Sequence, residues 1–342
     1  MTAPIRQLVR IAILLLLGTT VLHAQQRTLF KDVRVFDGLN LMPSTNVLVE
    51  GRTITAMGHE IAVPPGTDTI LGSGKTLLPG FIDAHAHLAS TPSADELERS
   101  IQAGVTTVLD MFSDPAVIRR VRAAQEAGGL LDRAELYSAG TIITAPGGYG
   151  TGPEFGLAIP TLTRPEAAAA FVDARLAEGS DFIKVAYDHG LLASAATPTL
   201  SRETLRAVCE AAHRRGRLVV AHCTTLAEAR DAIDCGVNGL MHIPMDSVTD
   251  KVFCRTAREH GVFVCPTLNE VLVQSGQTNA ALARDTNVIR VTPDDGLKSL
   301  ATPAPTPRLT PTNFAAAMAS VKALQLAHVP LVSGTDAPGP GT

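Results

Sequence analysis

The fold prediction for this chain starts from the stretch Pro79-Gly80-Phe81-Ile82-Asp83-Ala84-His85-Ala86-His87. An apolar run that ends in polar residues is typical of a buried strand. Side chains two residues apart on a strand point to the same face, so His85 and His87 present both imidazoles to one side at its carboxyl end. Neutral imidazole nitrogens are common Zn²⁺ ligands, and the pair therefore predicts a metal site whose strength depends on its context.

Outward from this stretch, short β-branched runs alternate with amphipathic, Ala-rich segments. The predicted strands are Gly80–His87, Val105–Met111, Glu135–Thr144, Asp181–Ala186, Leu218–Cys223, Gly239–Ile243, Val262–Thr267 and Pro330–Gly334. Predicted helices between them include Arg164–Glu178, Ser201–Arg215, Leu226–Cys235 and Ser247–His260. Eight strands with helical crossovers predict an α/β fold, a (β/α)8 barrel of the TIM type. A doubly wound sheet is the alternative, but no GxGxxG turn follows the first strand.

Upstream of the barrel, Thr28 to about Thr76 shows period-2 alternation broken by turn residues such as Asp37-Gly38 and Gly51. This pattern predicts β-hairpins in a small sheet that needs another element to cover its core. Downstream, Asn269 to Pro311 is a long polar, Pro-rich connection after the seventh strand. Loops there cover the active face of a barrel, which predicts a lid, with local disorder as the alternative.

Single polar residues end several otherwise apolar strands: Lys184, His222, His242 and Asp336. In a barrel the carboxyl ends of all strands gather around one axis, so these residues should meet His85. Each has a simpler structural explanation, such as a buried histidine with a hydrogen-bond partner or a helix-capping aspartate. The joint occurrence favours one shared site.

Composition narrows the class of protein. The 342 residues are 45% hydrophobic and 18% charged, which excludes a disordered chain, a coiled coil and a collagen-like fibre. The formal net charge is −4 without any basic block, so neither nucleic acid nor a stable membrane association is indicated. The five cysteines show no CxxC spacing and are interpreted as mostly buried small hydrophobes, with one bridged pair left open.

The N-terminus has the pattern of an export signal. Arg6 and Arg10 precede the apolar run 11–22, and Ala24 offers a small residue for cleavage. The run is shorter than the roughly 20 residues that span a bilayer. Residues 1–24 are therefore predicted to be a signal peptide and the protein to be periplasmic or secreted, with an uncleaved anchor as the alternative.

Taken together, these motifs resemble those of a known family, the amidohydrolase superfamily of metal-dependent hydrolases. The resemblance covers roughly residues 28–342, in particular to the imidazolonepropionase-like branch with Xaa-Pro dipeptidases and ochratoxin-type amidases. The residues that carry it are Pro79 to His87, Lys184, His222, His242 and the stretch Gly334-Thr335-Asp336-Ala337. It implies a flanking β-sandwich whose N-terminal strands are residues 25–77, and a metal-dependent hydrolase barrel over residues 78–342.

The resemblance also implies a site with two divalent metal ions, usually Zn²⁺. His85, His87 and Asp336 would hold one ion, and His222 and His242 the other. Lys184, carboxylated by CO₂ to a carbamate, would bridge both. Electrostatics favour this modification, because an ammonium beside two cations should lose its proton and a neutral amine can add CO₂. The alternative is an unmodified structural lysine paired with a carboxylate.

A mechanism follows from these charges. Two cations would lower the pKa of a bridging water, so that hydroxide exists at neutral pH and can attack a carbonyl. One metal would stabilise the oxyanion, and Asp336 would pass the proton from the water to the leaving amine. For substrate contacts, Tyr149 stands in the Gly-rich loop 146–152, at a position that is often histidine in relatives. Tyr187, Asp188 and His189 follow Lys184 and are candidates to bind a substrate terminus.

The sequence thus predicts an exported binuclear amidohydrolase that acts on a small molecule, a dipeptide (Xaa-Pro-like) or an N-acyl amino acid. A hydrolase of cyclic amides, lactones or imines is the alternative. In relatives the chain continues past Gly-Thr-Asp-Ala with an eighth helix and further sandwich strands, which are missing after Thr342. A metal-binding fragment with little activity is therefore the third hypothesis, and aggregation is expected unless a partner covers the gap. The oligomeric state is left open, a homo-oligomer included.

Overall fold

The structure is a computed structural model that describes residues 26–87, 95–128, 132–193 and 195–338. The predicted signal peptide, residues 1–24, lies outside these ranges. Within them, no helix has both the length and the apolar character needed to cross a membrane. The chain divides into two compact units, with the boundary between Pro79 and Gly80.

The first unit is one mixed β-sheet. Its strands are β1 (Arg27–Phe36), β2 (Leu41–Glu50), β3 (Thr53–Gly58), β4 (Asp68–Leu71) and β5 (Thr76–Leu77). β1, β2 and β3 pair antiparallel as the predicted hairpins, whereas β4 and β5 pair parallel to β1. A second sheet facing this one, expected for a sandwich, is not found among the described residues of the unit.

Alternation explains which face of that sheet is buried. Leu29, Val33, Val35 and Val47 are each less than a tenth exposed, and three of them form one apolar cluster. Because successive side chains of a strand point to opposite faces, burial of these residues leaves polar neighbours on the other side. The first unit thus has a small core of its own.

The described residues of the second unit form seven parallel strands. They are β6 (Phe81–Ala86), β7 (Val105–Asp110), β8 (Glu135–Ser138), β9 (Ile183–Ala186), β10 (Val219–His222), β11 (Gly239–Met241) and β12 (Phe263–Cys265). Two ladders result, β6-β7-β8 and β9-β10-β11-β12. Every pairing in both ladders is parallel, as crossover connections require.

Three isolated parallel bridges connect the ends of the two ladders: Ile143 to Val185, Val264 to Leu331, and Ala86 to Ala337. The pairings therefore run from β6 through β12 and, by way of residues 331–337, back to β6. Gly140 explains why the predicted strand 135–144 is interrupted, because its φ of 67° turns the backbone after β8. Pairing resumes at Ile143.

The predicted eighth strand, Pro330–Gly334, is corrected to an extended segment that changes partner. Val332 donates its N–H to Val264 at 3.0 Å, whereas the Ser333 carbonyl accepts from Ala84 N–H at 2.8 Å. Pro330 has no N–H to contribute to a ladder. The segment therefore bonds to β12 at one residue and to β6 at the next. Neither neighbour forms a continuous ladder with it.

Helices lie between the strands of the second unit. They are α1 (Asp95–Gln102), α2 (Pro115–Glu126), α3 (Ala168–Glu178), α4 (Arg202–His213), α5 (Leu226–Cys235), α6 (Lys251–Glu259), α7 (Leu268–Gln274), α8 (Thr286–Ile289), α9 (Asp294–Ala301) and α10 (Pro311–Leu326). The four predicted helices are confirmed as α3 to α6, within a few residues at each end. Side-chain caps begin several of them; for example, Thr225 and Glu228 form a capping box at α5.

The Pro-rich connection that is predicted to form a lid, Asn269 to Pro311, contains several helices. It contains most of α7, the short helices α8 and α9, and a 3₁₀ turn at Leu282–Arg284. Asp285 caps α8 through a hydrogen bond to the N–H of Asn287. The segment therefore has regular local structure, and α7 forms a wall of the cavity described below.

The core of the second unit packs helices against the parallel strands. Val185, Val219, Leu240 and Val264, one from each of β9 to β12, are completely buried in one cluster. The five cysteines are all free and buried, which confirms their interpretation as small core residues. Lys184 is one of the largest fully buried side chains of this unit, and it carries an amine.

Candidate metal centre

Polar side chains from distant parts of the second unit meet where its parallel strands end. His85 lies near the end of β6, and Lys184 and His222 lie on β9 and β10. His242 directly follows β11, and Asp336 follows the segment that returns to β6. These positions share one edge because parallel strands end on the same side of a sheet.

Asp336 is at the centre of the cluster. Its Oδ1 lies 3.2 Å from His85 Nε2 and 3.1 Å from His87 Nε2, and its Oδ2 lies 3.7 Å from His242 Nδ1. In the described part of the chain, one group of three ligand atoms lies within 4.8 Å of one another, and it belongs to His85, His242 and Asp336. This group takes residues from both of the ion sites that the sequence predicted separately.

His222 joins the cluster through His242. Its Nδ1 is 2.9 Å from His242 Nε2, and its Nε2 is 3.0 Å from Asp188 Oδ2. The ring of Tyr149 stacks on His222 with 4.0 Å between centroids. Burial alone would raise the pKa of Asp188, but the hydrogen bond and charge of His222 more than offset this and lower it to about 2. Asp188 is therefore ionised and orients the imidazole.

Lys184 is 1% exposed, and its Nζ lies 3.5 Å from His85 Nε2. Burial disfavours the ammonium and lowers the pKa of Lys184 to about 8. Lys184 forms no ion pair with any carboxylate that the structure describes, so the alternative of a paired structural lysine has no support in this geometry. An amine that loses its proton near neutral pH can react with CO₂.

The other donors are in the protonation states that metal binding needs. Burial lowers the pKa of His85 to about 3 and that of His242 well below its usual value, so both imidazoles are neutral at pH 7. Burial would raise the pKa of Asp336, but the hydrogen bonds of His85 and His87 hold it well below its usual range. Neutral imidazoles and an ionised carboxylate are the form in which these groups bind cations.

This donor set fits a divalent cation. Imidazole nitrogens and carboxylate oxygens are ligands that Zn²⁺ accepts, and several of them converge here. Among the described residues that line the cavity there is no lysine or arginine. His85 Nδ1 is also buried without a hydrogen-bond partner, whereas the second nitrogen of a metal-binding histidine is usually paired. The fit therefore rests on the cluster around Asp336 and on Nε2 of His85.

Backbone strain marks the same place. His242, Thr267 and Asp336 have φ angles of 83°, 42° and 63°, in the left-handed region that non-glycine residues avoid. Thr267 Oγ1 contacts His242 Nδ1 at 2.7 Å, which orients that ring. Strained residues of this kind cluster at functional sites, because the surrounding fold holds them in a needed position.

A cavity of about 340 Å³ opens beside the cluster. This volume lies within the range of about 300–1,000 Å³ that small-molecule sites occupy. Its wall contains the glycine-rich stretch Gly147–Gly152, including Tyr149, as well as Asp188, Glu270, Gln274 and the proposed ligands His222, His242 and Asp336.

Of the predicted substrate contacts, Tyr149 and Asp188 line this cavity. Tyr187 is buried, and its hydroxyl donates to Asp231 Oδ2 at 3.0 Å, away from the site. His189 has a side chain that is 62% exposed and contacts Glu228 Oε1 through Nδ1 at 2.9 Å. These partners on α5 hold both side chains outside the cavity, which corrects the prediction for Tyr187 and His189.

Three residues of the site were missed by sequence reasoning: Thr267, Glu270 and Gln274. Thr267 ends a predicted strand as the ligands do, and that position was the available signal. Glu270 and Gln274 belong to a segment that reads as polar loop, and no sequence signal separates them from solvated residues. Burial and the neighbouring charge of Asp336 raise the pKa of Glu270 to about 7.

Gly334 explains how the segment before Asp336 reaches β6, and it supports a testable prediction. A Cβ at this position would lie 2.4 Å from Cys265 Sγ and 2.6 Å from His85 Cβ.

Gly334→Ala should therefore displace His85 and Asp336 together and destabilise the fold by about 1–3 kcal/mol. Urea unfolding and Zn²⁺ content measure both effects. Gly58→Ala, whose Cβ would meet atoms only beyond 3.5 Å, is the control. Unchanged stability and metal content in Gly334→Ala would contradict this packing argument.

Parallel strands whose carboxyl ends bring histidines, a lysine and an aspartate together define an α/β protein with a candidate divalent-metal site. A family model for the amidohydrolase family matches residues 76–302, more than half of the chain. The chain therefore belongs to the amidohydrolase family.

Solved structures show the same fold. A Xaa-Pro dipeptidase with methionine bound in its active site is similar with a TM-score of 0.69 and 22% identity, over 93% of this chain and 81% of that one. The ochratoxinase of A. niger is similar with a TM-score of 0.67 and 19% identity, over 93% of this chain and 77% of that one.

Curated relatives match over shorter stretches. The adenine deaminase of Moorella thermoacetica is 30% identical over 141 residues, 41% of this chain and 23% of the relative. The exoenzymes regulatory protein AepA of Pectobacterium carotovorum subsp. carotovorum is 34% identical over 79 residues, 22% of this chain and 17% of the relative. The matched stretch thus spans less than a quarter of each curated relative.

Proposed function

We propose that this chain is a binuclear metal-dependent amidohydrolase that cleaves the amide bond of a dipeptide, Xaa-Pro-like, or of an N-acyl amino acid. The observation that carries the proposal is the convergence of His85, His222, His242, Asp336 and the buried Lys184 beside a cavity of small-molecule size. The closed order of parallel pairings from β6 back to β6 supports a (β/α)8 barrel as the scaffold.

The proposed ligand assignment has three parts. His85, His87 and Asp336 would hold one divalent ion, His222 and His242 a second, and a carbamate on Lys184 would join them. When bound, two Zn²⁺ ions supply Lewis-acid polarisation and lower the pKa of water towards neutrality. The low pKa of Lys184 supports the carbamate, because only the neutral amine reacts with CO₂.

The protein's own residues then have distinct tasks. Asp336, ionised and held between His85 and His87, accepts a proton from the attacking water and returns it to the leaving amine. Asp188 and Thr267 orient His222 and His242. Tyr149 stacks on His222 and shapes the wall where the substrate enters.

Similar proteins support the substrate class. Among the solved structures is a prolidase complexed with N-methylphosphonate-L-proline, with a TM-score of 0.67 and 21% identity over 91% of this chain and 78% of that one. The adenine deaminase relatives support a second candidate, hydrolysis of a cyclic amide or imine at the same site. Substrate panels separate these two classes directly.

The first test is metal content per chain after purification with Zn²⁺ and bicarbonate, followed by two substrate panels. We expect about two ions per chain and release of amino acids from dipeptides or N-acyl amino acids. Turnover of purines or cyclic amides alone would favour the second candidate. A folded chain without stoichiometric metal would contradict the proposed site.

We also propose that residues 1–24 direct export and are removed. The charged and apolar pattern of this segment supports the proposal. Expression in a bacterial host followed by N-terminal sequencing of the periplasmic fraction should find a chain that begins at Gln25. Recovery of the intact N-terminus from the cytoplasm alone would contradict it.

A further inference from the structure

One polar part of the cavity wall has no task in the mechanism above: Glu270 and Gln274, one turn apart on α7. Side chains at i and i+4 of a helix lie next to each other. Gln274 Nε2 accordingly donates to Glu270 Oε1 at 3.0 Å. The two side chains form one polar pair that faces the cavity.

This pair presents acceptors rather than donors. A carboxylate only accepts hydrogen bonds, so the amide nitrogen of Gln274 must face Glu270. The amide oxygen of Gln274 then points elsewhere, and it is buried without a hydrogen-bond partner. A buried unpaired acceptor is costly, and such atoms are rare in folded proteins unless a ligand or water satisfies them.

The carboxylate of Glu270 also differs from the other two carboxylates of the cavity. Asp336 contacts His85 and His87, and Asp188 contacts His222. Glu270 forms no ion pair with any residue in the described ranges, and burial together with the charge of Asp336 raises its pKa to about 7, so that its ionised form is only partly populated at pH 7. A buried carboxylate without a cation is a place where a cationic ligand group is stabilised.

Glu270 and Gln274 lie close in sequence to a residue of the proposed metal site. Glu270 is three residues after Thr267, which contacts the proposed ligand His242. Glu270 and His242 line the same cavity. A group bound by Glu270 would therefore belong to the same small molecule whose carbonyl meets the metal site.

We propose that Glu270 and Gln274 form a subsite for the protonated amino group of the substrate, so that dipeptides with a free amino terminus are favoured over N-acyl amino acids. The inference rests on the proposed amide hydrolysis. An ammonium has three N–H donors and no acceptor, which matches the carboxylate oxygens of Glu270, while Gln274 holds that carboxylate through its amide nitrogen. An acyl chain without an amine leaves the carboxylate without a cation, and sites built for hydrogen bonding reject such analogues strongly.

The test compares Ala-Pro with propionyl-Pro, which differ only in the amino group. We expect the wild-type protein to have the higher kcat/KM on Ala-Pro. Glu270→Gln should lower kcat/KM on Ala-Pro by about 30-fold or more, and change it on propionyl-Pro by less than about 3-fold. Gln274→Met, which keeps the size of the side chain, should lower it on Ala-Pro by about 5-fold. Glu259→Gln, the same charge change on the exposed end of α6, is the matched control.

Binding gives a second readout that does not depend on turnover. Calorimetry with the ketomethylene analogues of Ala-Pro and propionyl-Pro should show a preference for the amine in wild-type protein and its loss in Glu270→Gln. Equal losses for both compounds, or a wild-type preference for the compounds without an amine, would overturn the subsite. If neither Ala-Pro nor propionyl-Pro is cleaved, the proposed function fails, and the binding preference alone decides on the subsite.

Discussion

Asp336→Asn should lower kcat by several orders of magnitude, on the order of 10³- to 10⁴-fold, while metal stays largely bound. The amide keeps the size of the carboxylate and one oxygen towards His85 and His87, so the cluster should persist. It cannot accept a proton, and its position 3.1–3.2 Å from both imidazoles leaves little room for a replacement base. Single-turnover and steady-state rates on a cleaved dipeptide, with Zn²⁺ content measured on the same sample, test this expectation.

The matched control for that variant is Asp250→Asn. Asp250 is exposed and caps α6 through a hydrogen bond to the N–H of Phe253, and asparagine caps helices about as well as aspartate. The control should keep wild-type turnover. Turnover near the wild-type value in Asp336→Asn, with metal present, would end the assignment of Asp336 as the proton carrier.

Lys184→Met should reduce Zn²⁺ content from about two ions per chain to one or fewer and abolish turnover. The substitution removes the amine but fills nearly the same volume with an apolar side chain. Burying an amine away from water is costly, so the free energy of unfolding of the apo protein should not decrease. Atomic emission spectrometry measures the Zn²⁺ content. Urea unfolding of the metal-free protein measures the free energy of unfolding.

The carbamate itself has a direct readout. Wild-type protein loaded with ¹³C-bicarbonate and Zn²⁺ should show a carbamate carbon signal in its NMR spectrum, and Lys184→Met should lack it. Lys251→Met, on the exposed start of α6, is the control and should behave as wild type in every measurement. Two ions per chain in Lys184→Met would show that Lys184 does not join the metals.

Much of the proposed metal site could be predicted from sequence because it depends on strand ends. An apolar run closed by a polar residue, as at Lys184 or His222, identifies both a strand and its exit, and parallel topology brings those exits together. The helices α3 to α6 were predicted because their amphipathic period and capping residues are local signals. The resemblance to amidohydrolases added roles that the pattern alone does not assign.

The structure changed predictions where a residue's direction depends on distant partners. Tyr187 and His189 follow Lys184 directly, yet Asp231 and Glu228 on α5 hold their side chains outside the cavity. The last extended segment could not be predicted as a bridge between two neighbours, because that depends on how β6 and β12 approach each other. Neither effect leaves a trace in the local sequence.

Sequence by itself determined the family, the positions of most strands and helices, and the residue types available for a metal. These features depend on local patterns such as alternation and capping residues, and on the order of strands and helices along the chain. Only the tertiary structure decided which ligand atoms approach within 4.8 Å and that His242 and Asp336 need left-handed backbone. It also decided that Glu270 and Gln274 line the cavity. Burial, and with it the pKa and hydrogen-bond demand of a polar group, depends on packing by residues far apart in the chain.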